Sequence, residues 1–410
     1  MDLNKPDCSS TILLFLISVF VIPGMVVAIG INYGQIANNL PSPETVVPLV
    51  GSVGASKVKL YDADPRVLKA FANSGIEIVV GLGNECLAKM RDPEKVQAWV
   101  KTHVQAFLPF TNITCITVGN EVLTSNDTNL SHHLLPVMQN VHTALVNLDL
   151  DKQVSVTTAH SLALLEISYP PSAGTFRRDL RGCIIQVLDF HVKTGSPFLI
   201  NAYPYFAYKA NPKQIPIDFV LFQPNSGIVD PVSNLHYDNM LFAQIDAVSY
   251  ALASLGYKKL PIHISETGWP SKGDEDEAGA SLENAKKYNS NLMKVIYQKK
   301  GTPMRPNCEL NIYVFALFNE NMKPGPTSER NYGLFKPDGT PVYPLELNGI
   351  NVIPNTTSGG PTTNPGKVPS PPGSSPKGYL SISSAAGGLQ SGTVLLLESL
   401  LGTIALFGLV

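Results

Sequence analysis

Residues 57–107 read KVKLYDADPRVLKAFANSGIEIVVGLGNECLAKMRDPEKVQAWVKTHVQAF. Two short β-branched runs, Lys57–Asp62 and Glu77–Leu82, alternate with two amphipathic stretches, 64–74 and 93–107. Each amphipathic stretch opens on a start signal, Asp64-Pro65 and Asp92-Pro93-Glu94, which puts proline at the first helical position. Strand and helix in alternation spell parallel βαβ units. Working outward, further strands are expected at Ile29–Gly34, Cys115–Val122, Gln153–His160, Phe198–Tyr205, Leu260–Trp269 and Asn311–Glu320. Helical patterns lie at 43–53, 132–148, 180–194, 239–255 and 281–299. Eight units in one globular stretch predict an α/β fold, a (β/α)8 TIM barrel, over residues 29–347. The alternative is an open doubly wound sheet, but no GxGxxG follows the first strand.

The chain has 410 residues, 44% hydrophobic and 15% charged, with a formal net charge of −2. No basic run stands out, so nucleic acid is not an expected partner. Residues 12–22, ILLFLISVFVI, followed by Pro23, Gly24 and Ala28, predict a signal peptide over 1–28. Residues 348–384 are rich in Pro, Ser, Thr and Gly and predict a linker or stalk. Small residues near Ser383 and Ser384, a polar spacer and an apolar tail from Val394 follow the order of a GPI-attachment signal. Residues 385–410 are then the removed propeptide, Ser384 the attachment residue, and the protein is secreted and held at the outer face of the plasma membrane. The competing reading is one transmembrane helix, for which the tail is short and contains Glu398. Sequons mark Asn112, Asn126, Asn129 and Asn355 as glycosylation acceptors. Cys86, Cys115, Cys183 and Cys308 allow three pairings or none, and no CxxC suggests zinc.

Functional residues of such barrels sit at the C-terminal ends of strands. Those ends read Asn32-Tyr33-Gly34, Tyr61-Asp62, Gly83-Asn84-Glu85, Gly119-Asn120-Glu121, Tyr203-Pro204-Tyr205-Phe206, Ser265-Glu266-Thr267-Gly268-Trp269 and Phe318-Asn319-Glu320-Asn321. Carboxylates and aromatics dominate. There is no histidine cluster for a metal and no GxSxG elbow. Paired carboxylates protonate a glycosidic oxygen and attack the anomeric carbon, and aromatic faces suit sugar C–H faces. A neutral polysaccharide is the expected substrate, with no cofactor. Glu266 follows PIHIS as one candidate, and Glu121 follows ITVGN as the other. Gly83-Asn84-Glu85 repeats the tripeptide of Gly119-Asn120-Glu121, so Glu85 competes with Glu121 for the acid role.

The segments IGINYGQIANNLPSP, KVKLYDADP, ITVGNEV, NAYPYF, ISETGWPSKGD and FALFNENMKPGPTSERNYGLFKPDG together resemble the plant β-1,3-glucanases of glycoside hydrolase family 17. The resemblance covers about 29–345. It implies a (β/α)8 barrel that cleaves internal β-1,3-glucosidic bonds, as in callose, with retention. It makes Glu121 the acid/base with Asn120 beside it, and Glu266 the nucleophile, leaving Glu85 outside both motifs. It gives Glu320, Lys323 and Glu329 a supporting role, and Tyr33, Tyr203, Phe206 and Trp269 a place lining the cleft. Where many relatives carry a cysteine-rich carbohydrate-binding module, this sequence continues into the stalk, so glucan binding is expected to rest on the cleft. A glucan transglycosylase using the same residues, a mixed-linkage glucanase, and a silent glucan-binding surface protein are the alternatives. A monomer is expected.

Overall fold

The computed structural model describes residues 29–347 and 350–353. The signal segment, Asn355, Ser384 and the tail lie outside the described residues.

The eight barrel strands are β1 (Ile29–Tyr33), β2 (Ala55–Leu60), β3 (Glu77–Leu82), β4 (Asn112–Asn120), β5 (Ser155–Ser161), β6 (Phe198–Asn201), β7 (Ile262–Thr267) and β8 (Asn311–Val314). Every neighbour pair is parallel, and β8 closes on β1 through Gly30↔Tyr313 and Ile31↔Val314. That closure removes the open-sheet alternative. The strands are buried along most of their length because both faces are covered; all five residues of β1 are buried.

Between the strands run α1 (Pro43–Ser52), α2 (Pro65–Ala70), α3 (Pro93–His103), α4 (Ser131–Asn147), α5 (Arg181–Thr194), α6 (Pro204–Ala210), α7 (Ile217–Val220), α8 (Met240–Ser254) and α9 (Leu282–Tyr297). Asp64 and Asp92 cap α2 and α3 by accepting from Arg66 N and Glu94 N. α2 is shorter than its sequence pattern because Asn73 and Gly75 take left-handed backbone at φ 57° and 74°. The short helices α6 and α7 were not legible, and a strand at Ile350–Ile353 pairs with Leu345–Leu347 inside what reads as the start of the linker.

Several strands end earlier than their apolar runs. β6 stops at Asn201 and β8 at Val314, where runs to Tyr205 and Glu320 were expected. The residues that follow still bond to the neighbouring strands, Ala202 N to Glu266 O at 2.9 Å, Phe315 N to Thr267 O at 2.8 Å and Leu317 N to Asn32 O at 2.8 Å, and beyond them Tyr203 and Glu320 reach the mouth. Cys86, Cys115, Cys183 and Cys308 are all free thiols, Cys115 buried and Cys308 exposed.

Candidate active site

A cleft of about 2110 Å³ opens at the C-terminal ends of the strands, with Glu121, Glu266, Tyr61, Tyr203, Asn201 and Glu320 in its wall. Glu266 is 6% exposed. Three donors converge on it. Lys59 Nζ lies 3.0 Å and Tyr61 OH 2.7 Å from Oε1, and Tyr203 OH lies 2.8 Å from Oε2. Lys59 is itself buried, with its ammonium 4.1 Å from the centre of the Tyr61 ring. Two hydroxyls and an ammonium, all donating, form the setting an ionised carboxylate takes.

Glu121 has the opposite setting. Burial, then the charge of Glu266, push its carboxyl up to about 7, against a smaller lowering by the Asn201 hydrogen bond. Among the described residues its side-chain hydrogen-bond partner is Asn201 Nδ2, 2.9 Å from Oε1. Asn201 Oδ1 accepts from Ser265 Oγ at 2.6 Å, so one buried amide ties the residue before Glu266 to Glu121. Glu121 stands just past β4 in left-handed backbone, φ 54°. A non-glycine residue there is uncommon and costs roughly 1–2 kcal/mol.

A second layer lies under Glu266. Glu320 is buried, accepts from Ile36 N at 2.8 Å, and occupies the space a Cβ on Gly34 would need. Burial raises the Glu320 carboxyl, partly offset by Lys323. Lys323 bridges to Glu329 at 3.3 Å and sits 4.3 Å from the centre of the Phe315 ring. Burial pulls its ammonium down, but Glu329, Glu320 and Glu266 outweigh that and leave it raised. Lys323 is therefore a fixed cation between carboxylates.

The aromatics divide. Phe206 lines the cleft beside Tyr203, with ring centres 5.3 Å apart, whereas Tyr33 borders it but is 1% exposed and packs its ring edge-on against Phe318. Tyr203 also lines it, but its hydroxyl serves Glu266. Trp269 corrects the expectation of a cleft wall: it is 0% exposed. Its Nε1 donates to Gly279 O at 2.8 Å, and its indole packs against Tyr205 and Tyr288. The loop after β7 folds over it, so it is core beneath the rim. Asn120 lines the cleft, with Oδ1 3.4 Å from Asn201 Nδ2. The sequon residues Asn112, Asn126 and Asn129 are exposed, Asn112 at the start of β4 and the other two between β4 and α4.

Glu85 is also on the cleft wall, but it is exposed and its described side-chain contact is the Cys86 thiol at 3.8 Å. It makes no bond to Glu266, Asn201 or Lys59 among the described residues. Glu85→Gln is expected to keep kcat within about twofold of wild type, measured as reducing ends released from glucan; a dead variant would return the acid role to Glu85.

Lys59, Tyr61, Asn201 and Ser265 escaped the sequence reading as site residues. Tyr61 stood at a strand end and could have been found. Ser265 also stood at a strand end, beside Glu266, whereas Lys59 lies inside β2, where only the burial of a charged residue marks it.

A parallel (β/α)8 barrel whose mouth sets a carboxyl pushed above the usual carboxylate range beside a carboxylate clasped by three donors has the arrangement of a glycoside hydrolase. The chain belongs to the glycosyl hydrolases family 17, whose model matches residues 29–347. It is 64% identical over 354 residues to glucan endo-1,3-beta-glucosidase 10 of Arabidopsis thaliana, covering 86% of this chain and 83% of that one. It is 62% identical over 347 residues to glucan endo-1,3-beta-glucosidase 11 of the same plant, covering 84% and 82%. Among solved structures it resembles CJP38, a beta-1,3-glucanase and allergen of Cryptomeria japonica pollen, with TM-score 0.75 and 42% identity over 78% of this chain and all of that one.

Proposed function

We propose that this protein hydrolyses internal β-1,3-glucosidic bonds of a β-1,3-glucan and retains the anomeric configuration. The opposed settings of Glu121 and Glu266 carry this reading. In the first step a Glu266 oxygen attacks the anomeric carbon, the glycosidic C–O bond breaks, and Glu121 gives its proton to the departing sugar oxygen. The glycosyl ester has no charge on Glu266. One of the causes that raise Glu121 is thereby removed, so the group that left as a carboxylate stays one and can serve as a base. In the second step Glu121 takes a proton from water, whose oxygen attacks the anomeric carbon and frees Glu266. Two inversions give net retention. Phe206 offers an apolar face for a sugar ring.

The test is incubation of the protein with linear β-1,3-glucan and with mixed-linkage β-glucan, following products by chromatography and the anomer first released by NMR. Internal cleavage of the β-1,3-glucan with the β-anomer first is expected. Release of the α-anomer first would overturn retention. Products longer than the substrate would assign transfer in place of hydrolysis.

The order of segments in 348–410 supports a protein tethered outside the plasma membrane, with Ser384 carrying the lipid. Phosphatidylinositol-specific phospholipase is expected to free the activity from membranes. Retention there, with a control GPI protein released, would favour a spanning tail.

A further inference from the structure

The repeated tripeptide leaves a residue without a role. Gly83-Asn84-Glu85 and Gly119-Asn120-Glu121 end the adjacent strands β3 and β4. The ladder between them pairs Val80↔Ile116, Gly81↔Thr117 and Leu82↔Val118. Just past its last rung, β3 tightens into the 3-10 turn Asn84–Cys86 and its backbone leaves β4. The Asn84 side chain then takes over. Its Oδ1 accepts from Asn120 N at 2.8 Å, and its Nδ2 donates to Asn120 O at 2.9 Å. Asn84 and Asn120 are 36 residues apart, the spacing of the last rungs. A side-chain amide carries one donor group and one acceptor, as a peptide does, so Asn84 supplies one more rung of a parallel ladder.

That rung falls at the peptide joining Asn120 to Glu121. The carbonyl of this peptide is held by Asn84, and its N–H donates to Ala159 O of β5 at 2.8 Å. Held from both sides, the peptide plane is fixed where Glu121 adopts φ 54°. Gly119 completes the fit: it has φ +67°, and a Cβ there would lie 2.4 Å from the Val122 side chain and 2.9 Å from Asn84 Oδ1. The space Asn84 occupies exists because residue 119 has no side chain.

We propose that Asn84 is a positioning residue for acid catalysis: its side-chain amide clamps the Asn120–Glu121 peptide and so holds the Glu121 carboxyl on the leaving-group oxygen. This deepens the hydrolase reading and rests on Glu121 being the acid. It also assigns the repeat: Gly83-Asn84-Glu85 is a brace for its twin, made by its asparagine.

A positioning role for an acid has a signature that a stability role lacks. A sugar leaving group needs the proton, whereas a dinitrophenolate leaves without it. The quantity to read is kcat/KM, which ends at glycosyl-enzyme formation, on an unmodified β-1,3-gluco-oligosaccharide and on its dinitrophenyl glycoside. Asn84→Ala is expected to lose about 10- to 100-fold on the first and less than about threefold on the second, the size of loss that a displaced catalytic group produces. Glu121→Gln, run beside it, must show the same split more strongly. If Glu121→Gln shows no split, the acid reading fails. If Glu121→Gln splits and Asn84→Ala loses nothing, or loses equally on both substrates, the brace is wrong. Asn84→Ser, which removes less of the side chain, stands in if the alanine variant does not fold, and the same two outcomes decide.

Discussion

Replacing Glu266 with alanine lowers kcat on β-1,3-glucan by on the order of 10⁵-fold, the scale on which removal of a covalent nucleophile acts. Loss of the carboxylate leaves Lys59, Tyr61 and Tyr203 donating into an empty space. A small anion fits those donors. Azide is therefore expected to restore turnover of the dinitrophenyl glycoside. It would attack from the face Glu266 vacates, opposite the leaving group, and give the α-glycosyl azide. The product is read by NMR. A β-glycosyl azide, or an alanine variant that keeps wild-type turnover without azide, would sink the assignment of nucleophile.

Glu121→Gln is expected to reduce kcat/KM on unmodified glucan by about 10²–10⁴-fold, the usual share of a general acid. Glutamine preserves an oxygen for Asn201 Nδ2 but has no proton to give. The pH profile sharpens the test. Burial and the Glu266 charge push the Glu121 carboxyl up to about 7. Its raised value means the proton is present below that pH and lost as pH rises through it, so the wild-type kcat/KM falls on the alkaline side from about 7. In Glu121→Gln that limb disappears. A wild-type profile flat between pH 5 and 9, or a limb that survives in the variant, would place the acid elsewhere.

The barrel was legible because its strands are buried on both faces and its first three helices start on Ser-Pro or Asp-Pro. Such patterns follow from local chemistry. Strand ends were less so: the apolar runs of β6 and β8 continue past the regular strands because the rim of the mouth is itself buried. Glu266 could be found from its place after an apolar run, and Glu121 only by family motif, since its twin has the same local sequence. What separates Glu121 from Glu85 is depth and a neighbour on another strand, Asn201, and neither is written near either residue. Trp269 misled because an aromatic at a strand tip looks alike whether it faces sugar or packs beneath a loop. The asparagine brace was invisible for a similar reason, since it needs the register of β3 on β4.

The distribution of the site around the ring has a consequence for how the molecule comes into being. Glu121 and Glu266 stand at the ends of β4 and β7, yet charged residues packed around them arrive from the two extremes of the barrel. Lys59 is on β2, and Lys323 and Glu329 follow β8. A chain still leaving the ribosome with β7 complete owns both carboxylates and lacks the second ammonium. β8 also zips onto β1, a pairing across most of the sequence that is paid for late in folding. Competence to cut glucan therefore arrives with the last strand, and the appearance of activity during refolding is a clock for ring closure.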